Sequence, residues 1–188
     1  MGRRALVAYR RPDARYDVHY SHWGGERLSL VTALSADAPL ADGAVDVDPL
    51  AVGVSLECVL ACHLDPCTYE ALYLVSPDVA LTPYRVCWLE WGDGRDSDRK
   101  RDRDRGAIVP VEPGGRDHEV RAWFRAIKTT LSDLCEMGAI RRQAATAYLE
   151  ARVCEDEHGH VYTYRRGPSS DDETCAKEGD DTPDDRSR

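Results

Sequence analysis

Short apolar runs broken by turn signals open the chain, and helical spacing takes over towards its end. Residues 5–10, A-L-V-A-Y-R, read as a strand, and Pro12, Asp13 and Ala14 signal a turn. Residues 16–23 read as a second strand, so the chain opens with a predicted β-hairpin that Gly24 and Gly25 end. Residues 28–34 can form a further short strand, and 36–46 read as a loop. Asp48 and Pro49 then signal a helix start, Asp as N-cap and Pro at the first helical position. Residues 50–64 are apolar nearly all round, which predicts a buried helix that Asp65 and Pro66 stop.

Residues 69–75 and 84–91 are the strongest strand candidates, and 107–111 predict another. Between them, residues 92–106 hold no apolar side chain and predict an exposed charged insertion. Asp117 can cap a helix whose Val120, Trp123, Phe124, Ile127, Leu131 and Leu134 share one face. Gly138 breaks it, and a second helix carries Ile140, Ala144, Ala147, Tyr148 and Ala151 on one face. Residues 160–164 can add a last strand. The expected fold is α+β: a small antiparallel sheet opening with a β-hairpin, one buried helix and a C-terminal antiparallel helix pair. It occupies a single domain over 1–167, and 168–188 is expected to be a disordered acidic tail.

Composition sharpens this picture. There are 21 Ala, 16 Val and 16 Leu against three Ile and one Phe, so nine Tyr and four Trp must carry much of the burial. Arg outnumbers Lys 22 to three, Asp outnumbers Glu 22 to 12, and Asn is absent, a bias that suits a GC-rich genome and a salt-rich cytoplasm. The net charge is −9, of which the last 21 residues supply −5. No signal peptide is read, and the apolar stretch over 49–64 is interrupted by Glu57 and shorter than the ~20 residues of a membrane span. The seven cysteines are expected to be reduced thiols in a cytoplasm.

Candidate chemistry is sparse. His19, His22 and Trp23, followed by Gly24 and Gly25, are the densest polar and aromatic cluster and the candidate binding site. Histidine is easily tuned near neutral pH, and adjacent glycines let a backbone approach a ligand. Strand alternation puts His19 and His22 on opposite faces, which argues against a shared metal. Cys58, Cys62, His63 and Cys67 are weak zinc candidates, because their spacing lacks the paired C-x2-4-C halves that zinc sites favour. Gly53-Val54-Ser55-Leu56-Glu57 lacks the last Gly of a nucleophile elbow, and Gly92-Asp93-Gly94 lacks the third Gly of a dinucleotide loop. The charged insertion has six bases and five acids, which argues against nucleic-acid binding. No catalytic residue and no cofactor is implied.

The run M-G-R-R-A-L-V-A-Y, followed by H-Y-S-H-W-G, resembles a small haloarchaeal protein family of unknown function. The resemblance extends through Y-E-A-L-Y-L-V-S-P and Y-R-V-C-W-L and implies one compact domain from a haloarchaeal source. It carries over no catalytic residue. The expected function is a non-catalytic cytoplasmic domain that binds a partner, a protein being the expected class. The alternatives are a hydrolase using His19 or His22 and a zinc-stabilised module.

Overall fold

A computed structural model describes residues 3–91 and 103–165. In the interior of its sheet is β1 (Ala5–Arg10), in which Ala5, Leu6, Val7 and Ala8 are all fully buried. A strand covered on both faces needs a continuous apolar run, and A-L-V-A supplies one. Through a tight turn, where Ala14 takes a positive φ of 63°, the chain returns as β2 (Tyr16–Ser21), antiparallel to β1. The other side of β1 is taken by β4 (Ala71–Val75), which runs parallel to it.

The remaining strands are β3 (Ala51–Val54), β5 (Leu81–Trp88), β6 (Arg103–Pro110) and β7 (His160–Arg165). They complete one seven-stranded mixed sheet, ordered β3-β2-β1-β4-β5-β6-β7 and curled into a half-barrel. This corrects the expected small antiparallel sheet with one buried helix and a C-terminal helix pair. The first reason is the pairing of β1 with β4, which are more than 60 residues apart in the chain and leave no local signal.

The second reason lies in residues 50–64. Instead of a single helix they form β3, then a short α2 (Leu56–Cys58) that runs into a π turn over Val59–His63. Gly53 sits at φ 67°, a value outside a right-handed helix. Ser55 takes over as N-cap, its hydroxyl accepting a hydrogen bond from the Cys58 N–H at 3.1 Å. Residues 28–34 likewise depart from the expected strand and hold a one-turn helix, α1 (Leu30–Ala33).

The helices α3 (Gly115–Glu136) and α4 (Arg142–Glu157) are joined by Gly138 at φ 72°. They are not a terminal pair, because α4 hands the chain to β7 on the sheet edge. Of the predicted charged insertion, residues 103–106 belong to β6, and 92–102 lie outside the described residues, as does the expected tail. No helix among the described residues is long and apolar enough to cross a membrane.

Each face of the sheet carries its own core. Alternate residues Ala5, Val7, Tyr73, Val75 and Val109 meet Leu28, Leu30, Val120, Leu131, Leu149 and Val153 on the face that holds α3 and α4. Leu6, Ala8, Val18, Leu72 and Tyr162 meet Val59, Leu60 and Leu64 on the other. With few large aliphatics available, buried tyrosines bridge layers. The Tyr73 hydroxyl donates to the Gly24 carbonyl at 2.5 Å, and the Tyr162 hydroxyl donates to the Leu64 carbonyl at 3.0 Å. Burial pushes the pKa of both phenols up.

Candidate functional site

Two neighbouring strands of unequal length border a cavity. β4 begins at Ala71, opposite Arg85, so the last three residues of β5 run on past it. Beyond that point the Val86 N–H still reaches the Glu70 carbonyl at 3.0 Å, and residues of both α3 and β5 line the space that follows. A cavity of about 700 Å³ lies between α3 and β5. Its wall includes Trp88, Trp91 and Phe124, the cations Arg85, Arg121, Arg125, Lys128 and Arg142, and the carboxylates Glu70 and Glu136.

Two side chains of α3 tie it to β5. Asp117, in the first turn, accepts from Arg85 through both carboxylate oxygens, the Nη2–Oδ2 contact being 2.8 Å. Both residues are buried, and the remaining Arg85 nitrogen, Nη1, donates to the Gly25 carbonyl at 2.6 Å. Asp117 therefore pairs with Arg85 rather than capping the helix, whose N-cap position is Gly114. Three helical turns on, and so on the same face, Lys128 donates from Nζ to the Trp88 carbonyl at 2.5 Å. That carbonyl belongs to the part of β5 that β4 does not cover.

Lys128 is held by aromatic faces. Its Nζ lies 4.4 Å from the centroid of Trp88, 5.6 Å from Phe124 and 5.7 Å from Trp91. Among the described residues no carboxylate forms an ion pair with it. A lysine partly buried without a counter-ion is unusual, since the charged form loses part of its hydration. Burial accordingly pushes its pKa down to about 8, only partly opposed by Cys87, Cys67 and Glu90. Cys87, on the same strand, is fully enclosed, and its thiol is pushed up to about 12. Trp91 is oriented by its indole N–H, which donates to the Thr146 hydroxyl of α4 at 2.8 Å.

The predicted site at the hairpin end is a different kind of place. His19 and the Asp46 carbonyl are 2.8 Å apart, and the His19 ring meets Tyr9 edge-on at 5.3 Å. His22 is exposed, 3.0 Å from the Tyr20 hydroxyl and edge-on to Trp23 at 4.6 Å. Trp23 is 57% exposed and lies under the Arg3 guanidinium at 5.3 Å. No carboxylate hydrogen-bonds either histidine ring among the described residues. Gly24 and Gly25 are packing positions. A Cβ on Gly24 would come within 2.7 Å of Leu30, and one on Gly25 within 2.7 Å of the Arg4 carbonyl.

The four metal candidates do not converge as a set. Cys58 is buried on α2, Cys62 and His63 lie in the π turn, and Cys67 is exposed beyond it. Burial pushes the His63 pKa down. The single group of potential metal ligands among the described residues joins Cys67 to Asp65 and Asp104, whose donor atoms lie within 4.8 Å of one another.

A family profile covers residues 1–44 and 41–162 and is described as a family of unknown function, DUF6735. The chain belongs to that family. Membership agrees with the resemblance read from the N-terminal motifs as far as a family of unknown function. No curated protein and no solved structure matches the chain.

The cleft residues went unread because each has an ordinary local explanation. Trp88 and Trp91 read as strand residues, and Phe124 as part of a helix stripe. Two local signals did exist. Arg85 interrupts the apolar strand Y-R-V-C-W-L, and Lys128 is one of three lysines in a chain with 22 arginines.

Proposed function

We propose that this chain is a binding domain for a small organic anion with a planar apolar part, seated in the cleft between α3 and β5. The observation that carries the reading is the composition of the cavity wall. Three aromatic rings offer a flat apolar surface, and five cationic side chains stand against two carboxylates. The whole chain is acidic at −9, so this local excess of positive charge runs against the average. Arg85 is neutralised by Asp117, but Arg121, Arg125 and Arg142 form no ion pair among the described residues. The volume, about 700 Å³, falls in the ~300–1,000 Å³ range of small-molecule sites.

The bias towards Asp and Arg supports a haloarchaeal cytoplasm as the setting, so binding belongs in molar KCl. The test is a titration of tryptophan fluorescence with terephthalate and with its uncharged diamide. The expected result is saturable quenching by the dianion, lost in Trp88→Phe with Trp91→Phe and weakened in Arg121→Ala with Arg125→Ala. Equal response to the dianion and the diamide, or quenching that survives both double variants, overturns the reading.

A second reading is favoured by Trp23. An indole 57% exposed beside an exposed histidine is a surface that a protein partner can cover. Its test is partner capture in high salt by the parent chain and by Trp23→Ala. Equal recovery by the two removes this reading.

A further inference from the structure

We infer that Lys128 is a reactive amine and that the cleft takes an anionic carbonyl compound, an aldehyde or a ketone, which condenses with its Nζ to form an imine. The inference rests on the proposed ligand cleft and names the ligand's reactive group. The geometry supplies the argument. Nζ is placed on the cavity wall by a helix anchored three turns earlier through the Arg85–Asp117 pair. One N–H is spent on the Trp88 carbonyl, so the lone pair of a neutral amine is directed away from that carbonyl, on a nitrogen whose side chain lines the cavity. Trp88, Phe124 and Trp91 flank the nitrogen and limit the access of water to it, which slows hydrolysis of an imine.

The surrounding charges suit the same ligand. Cys87 and Glu90 face Lys128 from β5 and the residues just beyond it, Cys67 from the loop before β4, and Arg121 and Arg125 from its own helix. Arg142 approaches from α4. Burial holds the Lys128 pKa near 8, so a substantial fraction is neutral in mildly alkaline solution. The step balances without a redox partner. The Nζ lone pair attacks the carbonyl carbon and forms the C–N bond, while the carbonyl π pair moves to oxygen, which is protonated by water. The nitrogen returns a proton to the hydroxide so formed, which gives a carbinolamine. Its lone pair then forms the C=N bond as the C–O bond breaks. Water protonates the departing hydroxyl so that it leaves as one water, and the hydroxide left behind takes the second N–H proton to give the neutral imine. Arg121, Arg125 and Arg142 would hold the anionic group of the ligand while this occurs.

The chain contains three lysines, and Lys100 and Lys177 lie outside the described residues, so the intact protein carries its own controls. The probe is 4-formylbenzoate with cyanoborohydride at pH 8 in molar KCl, and adducts are located by peptide mass spectrometry. Lys128 is expected to react about tenfold faster than the other two lysines, since an amine of ordinary pKa near 10.4 is almost wholly protonated there. Terephthalate is expected to slow the Lys128 adduct selectively, and denaturation in urea to level the three rates. Equal rates in the folded chain overturn the inference. Quenching by terephthalate with no Lys128 adduct also overturns it and leaves the binding reading standing. Neither quenching nor adduct removes both.

Discussion

The end of the first hairpin and the α3–β5 cleft are opposites. His19, His22 and Trp23 lie within five residues of one another, yet His19 turns to a backbone carbonyl and the Tyr9 ring while His22 and Trp23 meet each other at the surface, beside the Tyr20 hydroxyl and the Arg3 guanidinium. The glycines beside them are filled against Leu30 and the Arg4 carbonyl. The cleft joins residues 32 and 40 positions apart, Arg85 to Asp117 and Trp88 to Lys128, and it leaves an open volume. Crowding of functional groups in sequence is therefore a poor guide to convergence: β2 ends at Ser21, His19 turns to the Asp46 carbonyl, and only His22 and Trp23, in the bend beyond the strand, meet. Convergence came instead from a strand outrunning its neighbour and a helix whose Lys128 reaches the carbonyl left uncovered.

The sharpest way to break the comparison is at the anchor of the cleft. Asp117→Ala leaves the Arg85 guanidinium buried with only carbonyl oxygen and a distant Glu70, 4.0 Å away, as partners. A loss of about 3–5 kcal/mol is expected, seen as a fall of roughly ten degrees in the thermal midpoint. An unchanged midpoint would mean that α3 is not fastened there.

Next in size is a pH effect at Lys128. Its folded pKa of about 8 lies below the ordinary value of 10.5, so between these values the unfolded chain binds more protons. Stability of the parent relative to Lys128→Met should rise from pH 8 to about 10.5, by up to about 3 kcal/mol. Tyr73, Tyr162 and Cys87, whose pKa values are raised, pull stability down over alkaline pH, but they do so in both proteins. Parallel urea-denaturation curves across that range would contradict a desolvated Lys128.

At the hairpin end, Gly25→Ala should cost about 1–3 kcal/mol, because the new methyl meets backbone and not a mobile side chain. A variant as stable as the parent would free Gly25 for a role in binding. The smallest expected effect is His22→Ala. The ring is exposed, so urea denaturation should shift by no more than ~0.5 kcal/mol, and terephthalate quenching should be untouched. Loss of that quenching would join the two regions into one site.

Periodicity alone located much of the chain's local structure. The strands over 5–10 and 16–21, the aromatic strand that became β5 and the amphipathic stretch that became α3 were all legible as patterns of burial. Two local readings failed for local reasons. The apolar run over 50–64 hid the positive φ of Gly53, and the charged start of β6 hid Asp104, which is 2% exposed and accepts from the Trp88 indole at 3.3 Å.

Residue types and spacing thus determined which positions leave water: the A-L-V-A run of β1, the apolar stripe of α3 and the tyrosines that replace missing Ile and Phe. Only the tertiary structure decided what those positions meet. The parallel pairing of β1 with β4, the uncovered end of β5 and the seating of Lys128 among three aromatic rings all depend on segments tens of residues apart. Burial tendency is a property of each side chain and can be read locally. Partnership is a property of the assembled sheet, and a single chain carries no local mark of it.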